Sequence, residues 1–394
     1  MHTRPLDGIT VLALEHAIAA PFCTRQLADL GARVIKIERP DGGDFARGYD
    51  SRTRGLASHF VWTNRSKESL TLDLKQAPAL QVLRELLAGA DVLVQNLAPG
   101  AAARLGLGYE ALHEQHPRLV VCDISGYGSD GPYRDKKAYD LLIQSEAALL
   151  SITGTPQEPC KAGISIADIA AGMYAFTGVL GALLQRQRSG RGSHVEVSML
   201  EALAEWMGFP MYYAYDGQDA PARSGAAHAS IYPYGPFETG DGRLVMLGLQ
   251  NEREWKAFCE RVLRRPELAL DARFESTASR SQHRGELRGL ILDLFATLTA
   301  AEILARLDEA QIANAEVNDV AQLWRHPQLL ARGRLRSIDS PVGELQALLP
   351  PVTSDAYACR MDAIPRLGQH TRAILRELGR SDADIDALRQ ARAV

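Results

Sequence analysis

GITVLALEHAIAAPFCTRQLADLGARVIKIE, residues 8–38, reads as strand, helix, strand. Gly8 to Leu14 is a short apolar run of strand length. Pro21 to Leu30 carries helical spacing, with a proline near its start and Gly31 just past its end, where each residue is favoured. Arg33 to Glu38 is a second run with β-branched, apolar spacing. Two strands joined by a helix over about thirty residues form a βαβ unit, and its crossover makes the strands parallel.

The pattern repeats outward from that run. Ser69 to Leu74 reads as a strand, Pro78 to Ala88 as a helix and Asp91 to Gln95 as a strand; then Ala101 to Glu114 as a helix and Arg118 to Ser125 as a strand. Such alternation predicts an α/β fold with a Rossmann-like, doubly wound sheet. Helices are predicted over Tyr139–Leu150, Ile166–Gln187 and Met199–Tyr213, with a short strand at His194–Val197. Asp216 to Gly242 is rich in Gly, Pro, Ala and Asp and marks a boundary. Beyond it a strand at Arg243–Leu249 precedes helical periods at Glu252–Val262, Arg284–Thr297 and Ala300–Glu309. We therefore expect a large domain over 1–215, completed by 331–394 with its helical tail Arg366–Arg392, and a smaller α/β domain over 216–330.

Composition narrows the function. Of 394 residues, 46% are hydrophobic and 23% charged, the profile of a soluble globular protein. Lys plus Arg number 44 against 48 for Asp plus Glu, a net charge of −4 that lacks the basic surface nucleic acid demands. The five cysteines are scattered without a C-x-x-C, which fits a reducing cytoplasm and no metal ribbon. The opening residues hold no apolar signal core. Ile169 to Leu184 is apolar but short of a bilayer span and rich in Gly and Ala, so a buried helix is expected and no membrane partner.

Several motifs carry candidate chemistry. Gly126-Tyr-Gly-Ser-Asp-Gly131 matches G-x-G-x-x-G, but Pro132 and a polar loop follow where a nucleotide-binding helix would start. A Gly-rich substrate loop is the better reading. His113-Glu-Gln-His116 has i, i+3 spacing and no third ligand nearby, so a solvated helix face accounts for it and no metal site is expected. Neither G-x-S-x-G nor a P-loop occurs. Ser165-Ile-Ala-Asp168 opens the most hydrophobic helix and admits two readings. Ser165 can be the N-cap with Asp168 at the third helical position, a capping box. Alternatively Asp168, at the positive end of the helix dipole, is a carboxylate nucleophile facing a cleft. Arg39, Lys75, Asn96, Arg104 and Lys137 each follow a predicted strand. In a doubly wound sheet ligands bind at that edge, so together these residues fit an anionic, phosphorylated ligand.

Taken in order, further motifs bear a resemblance. Pro21-x-Cys23-Thr24, Leu27–Ala32, Val34–Pro40 and Gly43-Asp44 form a first group. Asn64-Arg-Ser-Lys67, Leu72–Lys75, Asn96–Gly100, Arg104–Gly106, Ser125–Gly128, Asp168 and Ser189–Val197 follow. This series resembles the family III CoA-transferases of the CaiB/BaiF type, strongly over the first half of the chain. The resemblance implies a Rossmann-like large domain, a smaller domain, and a homodimer of two ring-like chains threaded through one another. It implies that Asp168 is the catalytic aspartate, forming a mixed anhydride and then an aspartyl-CoA thioester. Coenzyme A would be a substrate rather than a tightly bound cofactor. Residues His16, Ala17, Ile18, Arg39, Leu72, Lys75, Asn96, Arg104, Lys137 and Tyr139 would line its site, with adenine against Leu72. Backbone amides near Ala17–Ile18 and around the glycine-rich small-domain segment would serve as oxyanion donors.

Departures from the family pattern shape the substrate. One well-known oxalate-using member has a glutamine where Ile18 stands and consecutive glycines in the small domain, where this chain reads Ser230-Ile-Tyr-Pro-Tyr-Gly235, so oxalate is disfavoured. Related α-methylacyl-CoA racemases carry Gly-His-Asp where this chain has Ala138-Tyr139-Asp140, so the second proton-transfer base of a racemase is missing. The expectation is transfer from succinyl-CoA to a short dicarboxylate such as itaconate, citramalate, mesaconate, malate or glutarate. Arg47 and Arg52 are the candidates to hold its distal carboxylate. A racemase, or a transferase for monocarboxylates, is the alternative.

Overall fold

The structure is a computed structural model and describes residues 3–394. The run that opened the sequence analysis forms strand β1 (Thr10–Leu14), a helix at Ala19–Asp29 and strand β2 (Arg33–Glu38). Pro21 lies in the first helical turn, where a missing N–H leaves no bond unmade. Gly31 follows the helix at φ +109°, and a Cβ there would come within 2.5 Å of Asp7 Oδ1, so this corner requires glycine.

Strands β3 (Lys67–Thr71), β4 (Val92–Gln95), β5 (Val120–Ser125) and β6 (His194–Ser198) complete a six-stranded sheet in the order β3-β2-β1-β4-β5-β6. Every neighbouring pair is parallel. The strand order reverses between β1 and β4, which opens a crevice at their carboxyl ends.

Alternation along the strands sorts the two faces. Val11, Ala13, Val34, Val92 and Val94 pack under Ala19–Asp29 and the long helix Ile166–Ser189. Leu12, Leu14, Ile35, Ile37 and Leu93 pack on the other face with the helix Ala77–Ala88 and with Ile374, Leu375 and Ile385 of the C-terminal tail. The helix Ile166–Ser189 is long and apolar enough to cross a membrane. Its side chains show a core helix instead. Ala167, Ala170, Ala171, Gly172 and Ala175 are buried, and the buried Arg186 pairs with Asp91 at 2.9 Å. Small residues let it approach the first helix closely: a Cβ on Gly172 would sit 2.6 Å from the Ala19 carbonyl oxygen.

Several expected elements come out shorter. Ala101–Glu114 is two helices, Ala101–Arg104 and Tyr109–Gln115, because the chain turns at Gly106 with φ +73°. Tyr139–Leu150 divides into Asp140–Glu146 and the start of a single turn at Leu149–Ile152, since Ala148 between them is left-handed at φ +61°. Met199–Tyr213 divides into Met199–Trp206 and Gly208–Tyr213. The third strand begins at Lys67, not Ser69, because a buried ion network draws in polar residues that do not look like strand.

By contacts the chain forms two compact units. The first takes in the chain up to Leu149, Ala162–Phe209 and Leu329–Val394; the second is Leu150–Lys161 with Pro210–Gln328. The expected boundaries thus miss a short excursion, Leu150–Lys161. Within the second unit Gly225 N–H donates to the Gly154 carbonyl, and Arg223 donates to the carbonyls of Thr155 and Pro156. Its core gathers around an antiparallel sheet of β7 (Tyr234–Glu238), β8 (Leu244–Gly248) and β9 (Ala313–Glu316).

Candidate active site

The crevice between β1 and β4 is built around one loop, Glu15–Ile18. Asn96, just past β4, clamps His16 from both sides: it accepts from the His16 N–H and its side-chain amide donates to the His16 carbonyl, each at 2.9 Å. Ala17 then adopts φ +62°, a left-handed conformation costing about 1 kcal/mol for a residue with a Cβ. Its N–H donates to Asp44 Oδ1 at 2.9 Å. The loop is therefore held from two sides and delivers the chain into the helix that starts at Ala19.

Beneath it lies a dry ion network. Glu15, Lys36 and Lys67 have fully buried side chains. Glu15 accepts from Lys36 at 3.1 Å, Lys67 at 2.6 Å and Thr24 at 2.5 Å, while Lys36 also reaches Asp44 at 2.7 Å. Burial pushes Lys67 down to about 8 despite Glu15 beside it. Burial opposes the Glu15 and Lys36 charges as well, but their mutual attraction outweighs it, holding Glu15 below and Lys36 above its ordinary value. Glu38, against Ser69 and Arg47, extends the network. Lys36, Glu38, Asp44 and Lys67, four charged residues of the motifs, are accounted for in this way.

Asp168 stands at the third position of the long helix, but no capping box forms. Ser165 makes no side-chain cap bond. Asp140, 28 residues before Asp168, supplies that function: its Oδ1 accepts from the N–H of Ala167 at 2.8 Å and of Asp168 at 3.4 Å. The half-buried carboxyl of Asp168 is left to receive the Ala19 N–H, the first amide of the other helix. Burial and then the Asp140 charge raise it to about 7, and the Ala19 N–H only partly offsets them. A carboxylate so placed is more basic than an ordinary aspartate, partly desolvated and still ionised in half of the molecules near neutrality, which suits a nucleophile toward an acyl carbon.

The other predicted site residues divide. The His16 ring lies tilted at 39° against Phe45, centroids 4.9 Å apart, and leaves its Nδ1 buried without a hydrogen bond; burial holds it below its ordinary value, hence neutral at pH 7. Arg39 lies over the same Phe45 ring, its guanidinium 4.9 Å from the centroid. Lys75, Arg104 and Lys137 are exposed and come after β3, β4 and β5 in the chain. Tyr139 is 70% exposed and directly precedes Asp140. The loop Gly126–Gly131 leads into no helix; a Cβ on Gly126 would lie 2.2 Å from that of Ala138.

Three expectations fail. Leu72 is 1% exposed and part of the core, so it presents no face to an adenine. Arg47 is committed to Glu38 through two bonds of 2.7 and 2.8 Å and stacks on Phe60 at 3.8 Å, so it cannot turn to a substrate carboxylate. The Ala17 N–H is taken by Asp44, and the amide that meets Asp168 is that of Ala19, next to the expected pair. Arg52 is exposed, with only its backbone bonded to Asp50. Tyr49 was missed: its half-exposed phenol is raised by burial and by the charges of Asp44 and Asp168. Nothing in the local sequence singles it out.

Comparison with known proteins bears on this arrangement. The model of CoA-transferase family III matches residues 6–371. Succinyl-CoA:glutarate CoA-transferase of Mus musculus is 33% identical over 96% of this chain and 87% of its own length. Acetyl-CoA:oxalate CoA-transferase of Acetobacter aceti is 34% identical over 84% of this chain and 85% of its own. A crystal structure of a CaiB/BaiF family protein from Brucella suis superposes with a TM-score of 0.86 at 32% identity, covering 95% of this chain and all of that one.

Proposed function

The chain belongs to CoA-transferase family III, and from that premise we propose that it carries coenzyme A from succinyl-CoA to a four- or five-carbon dicarboxylic acid through covalent intermediates on Asp168. The observation that carries the reading is the Asp168 carboxyl, released from capping by Asp140 and held at the crevice by the Ala19 amide.

The proposed reaction passes through two covalent intermediates on Asp168. The Asp168 carboxylate attacks the thioester carbonyl; the C–S bond breaks, and CoA leaves as thiolate while Asp168 becomes half of a mixed anhydride. The thiolate attacks the Asp168 carbonyl carbon, forming aspartyl-CoA and releasing succinate. The acceptor carboxylate then attacks aspartyl-CoA, and the same two steps run in reverse. Each tetrahedral centre on Asp168 places negative charge on an oxygen, and the Ala19 N–H at the positive end of its helix is the donor already aimed there. Desolvation keeps water from hydrolysing the anhydride, so thioester energy is conserved without ATP. Arg39, Lys75, Arg104 and Lys137 supply cations for the CoA phosphates. A racemase reading lacks support, since Tyr139 stands in place of its imidazole.

The relatives named for glutarate and for oxalate are almost equally similar to this chain, so identity alone does not set the length of the acid. Ile18 in place of glutamine and the exposed Arg52 favour the longer one. In an acceptor screen with succinyl-CoA, we expect glutarate, malate, citramalate, mesaconate or itaconate to exceed oxalate and monocarboxylates by about tenfold or more in kcat/KM, the value of one well-made carboxylate contact. Activity with monocarboxylates alone would overturn the dicarboxylate reading. We also propose a homodimer; Trp206, Met211 and Tyr212 are exposed apolar side chains that a second copy would cover. Light scattering should return twice the chain mass, and a monomer at working concentration would contradict this.

A further inference from the structure

We propose that Asp140 is the positioning residue for the Asp168 nucleophile: it holds the first turn of the long helix through main-chain amides, so that the Asp168 carboxyl stays unbonded by its own helix end. This inference rests on Asp168 being the nucleophile. A carboxylate at the third position of a helix ordinarily folds back on the N-cap, and the pair Ser165 and Asp168 has the spacing to do so. Ser165 instead makes no cap bond, and the amides of Ala167 and Asp168 turn to Asp140. Asp140 is itself fixed. Its Oδ2 accepts from Gln144 at 2.7 Å, and the fully buried Gln144 accepts in turn from the Ala162 N–H at 2.9 Å. The helix Asp140–Glu146 thereby sets both the approach to the long helix and its first turn.

Asp140 also acts by charge. The groups facing Asp168 are Asp140 from the helix Asp140–Glu146, the Ala19 amide from the first helix and the Tyr49 phenol; no cation of the described residues is among them. A negative charge that caps the helix while standing beside the nucleophile makes the nucleophile more basic, which a serine cap would not do. The cap and the charge are one group here, and they separate on substitution.

Asp140→Asn keeps an oxygen for the two amides and removes the charge; Asp140→Ser does the same with a shorter side chain, should the amide conflict with Gln144. In either variant we expect the Asp168 carboxyl, followed by carbon-13 NMR, to titrate lower by roughly half to one pH unit, and the acid limb of kcat/KM for succinyl-CoA to move with it. Asp140→Ala removes both functions, and kcat should fall about 10- to 100-fold with KM for succinyl-CoA changed less than about threefold. Unmoved titration of Asp168 in both cap-retaining variants, or wild-type kcat in Asp140→Ala, would overturn the role of Asp140. If wild-type enzyme forms no CoA adduct on Asp168, the nucleophile reading itself falls, whatever the NMR titration shows.

Discussion

Asp168→Asn should lose turnover by about a thousandfold or more while making the protein more stable. The first half follows from the covalent route: an amide oxygen does not open a thioester, and among the described residues no second carboxylate bonds the Ala19 amide. The second half follows from the electrostatics. Asp168 rises from 3.8 to about 7 on folding, so the folded chain holds that proton more tightly than the unfolded chain. For an acid shifted upward, stability is greatest below the unfolded value and falls as pH climbs through the interval between the two. Above neutrality the ionised group therefore costs the fold up to about 4 kcal/mol, and the partial exposure of the side chain brings the expected gain nearer 1–3 kcal/mol. Asparagine removes that cost and keeps an oxygen for Ala19. Thermal melts should place Asp168→Asn above wild type at about pH 8 and level with it near pH 4. The same titration governs rate: in wild type, kcat/KM for the acyl-CoA should fall as pH drops below about 7, where the carboxyl gains its proton. A variant with full activity, or one less stable at alkaline pH, would contradict this account of Asp168.

Glu15→Gln should be the most destabilising conservative change near the crevice. It leaves Lys36 and Lys67 buried, with Asp44 as the one remaining anion in direct contact. Breaking a buried pair by neutralising one partner costs about 3–5 kcal/mol, because the orphaned charge is not resolvated. Lys67 already sits at about 8, and without Glu15 it sheds its proton more readily. The unfolded chain keeps that proton to higher pH, so the deficit should shrink as pH rises from about 7 to 9. Denaturant melts across that range measure both size and trend. A loss under about 1 kcal/mol would mean that the network is solvated and does not hold the Glu15–Ile18 loop.

Much of the fold was legible because it depends on local pattern. Alternating apolar runs, Pro21 in the first helical turn and Gly31 at its exit identify the parallel sheet. What escaped depends on partners distant in sequence. Lys67 and Glu68 look like loop until Glu15 is seen to receive Lys67 and Arg33 to reach Glu68. Arg47 looks like a spare cation until Glu38 is placed beneath it. Leu72 differs from a surface leucine only by the tail helices that cover it. The ambiguity of Asp168 could not be resolved from its own segment, because the residue that decides it, Asp140, belongs to another helix.

The most direct measurement is mass spectrometry of wild-type protein mixed with succinyl-CoA alone, quenched in acid and digested. The account predicts CoA on the peptide containing Asp168, displaced by hydroxylamine to leave a hydroxamate at that side chain. A protein that turns over while its Asp168 peptide stays unmodified, or that carries CoA on a different carboxylate, would contradict it.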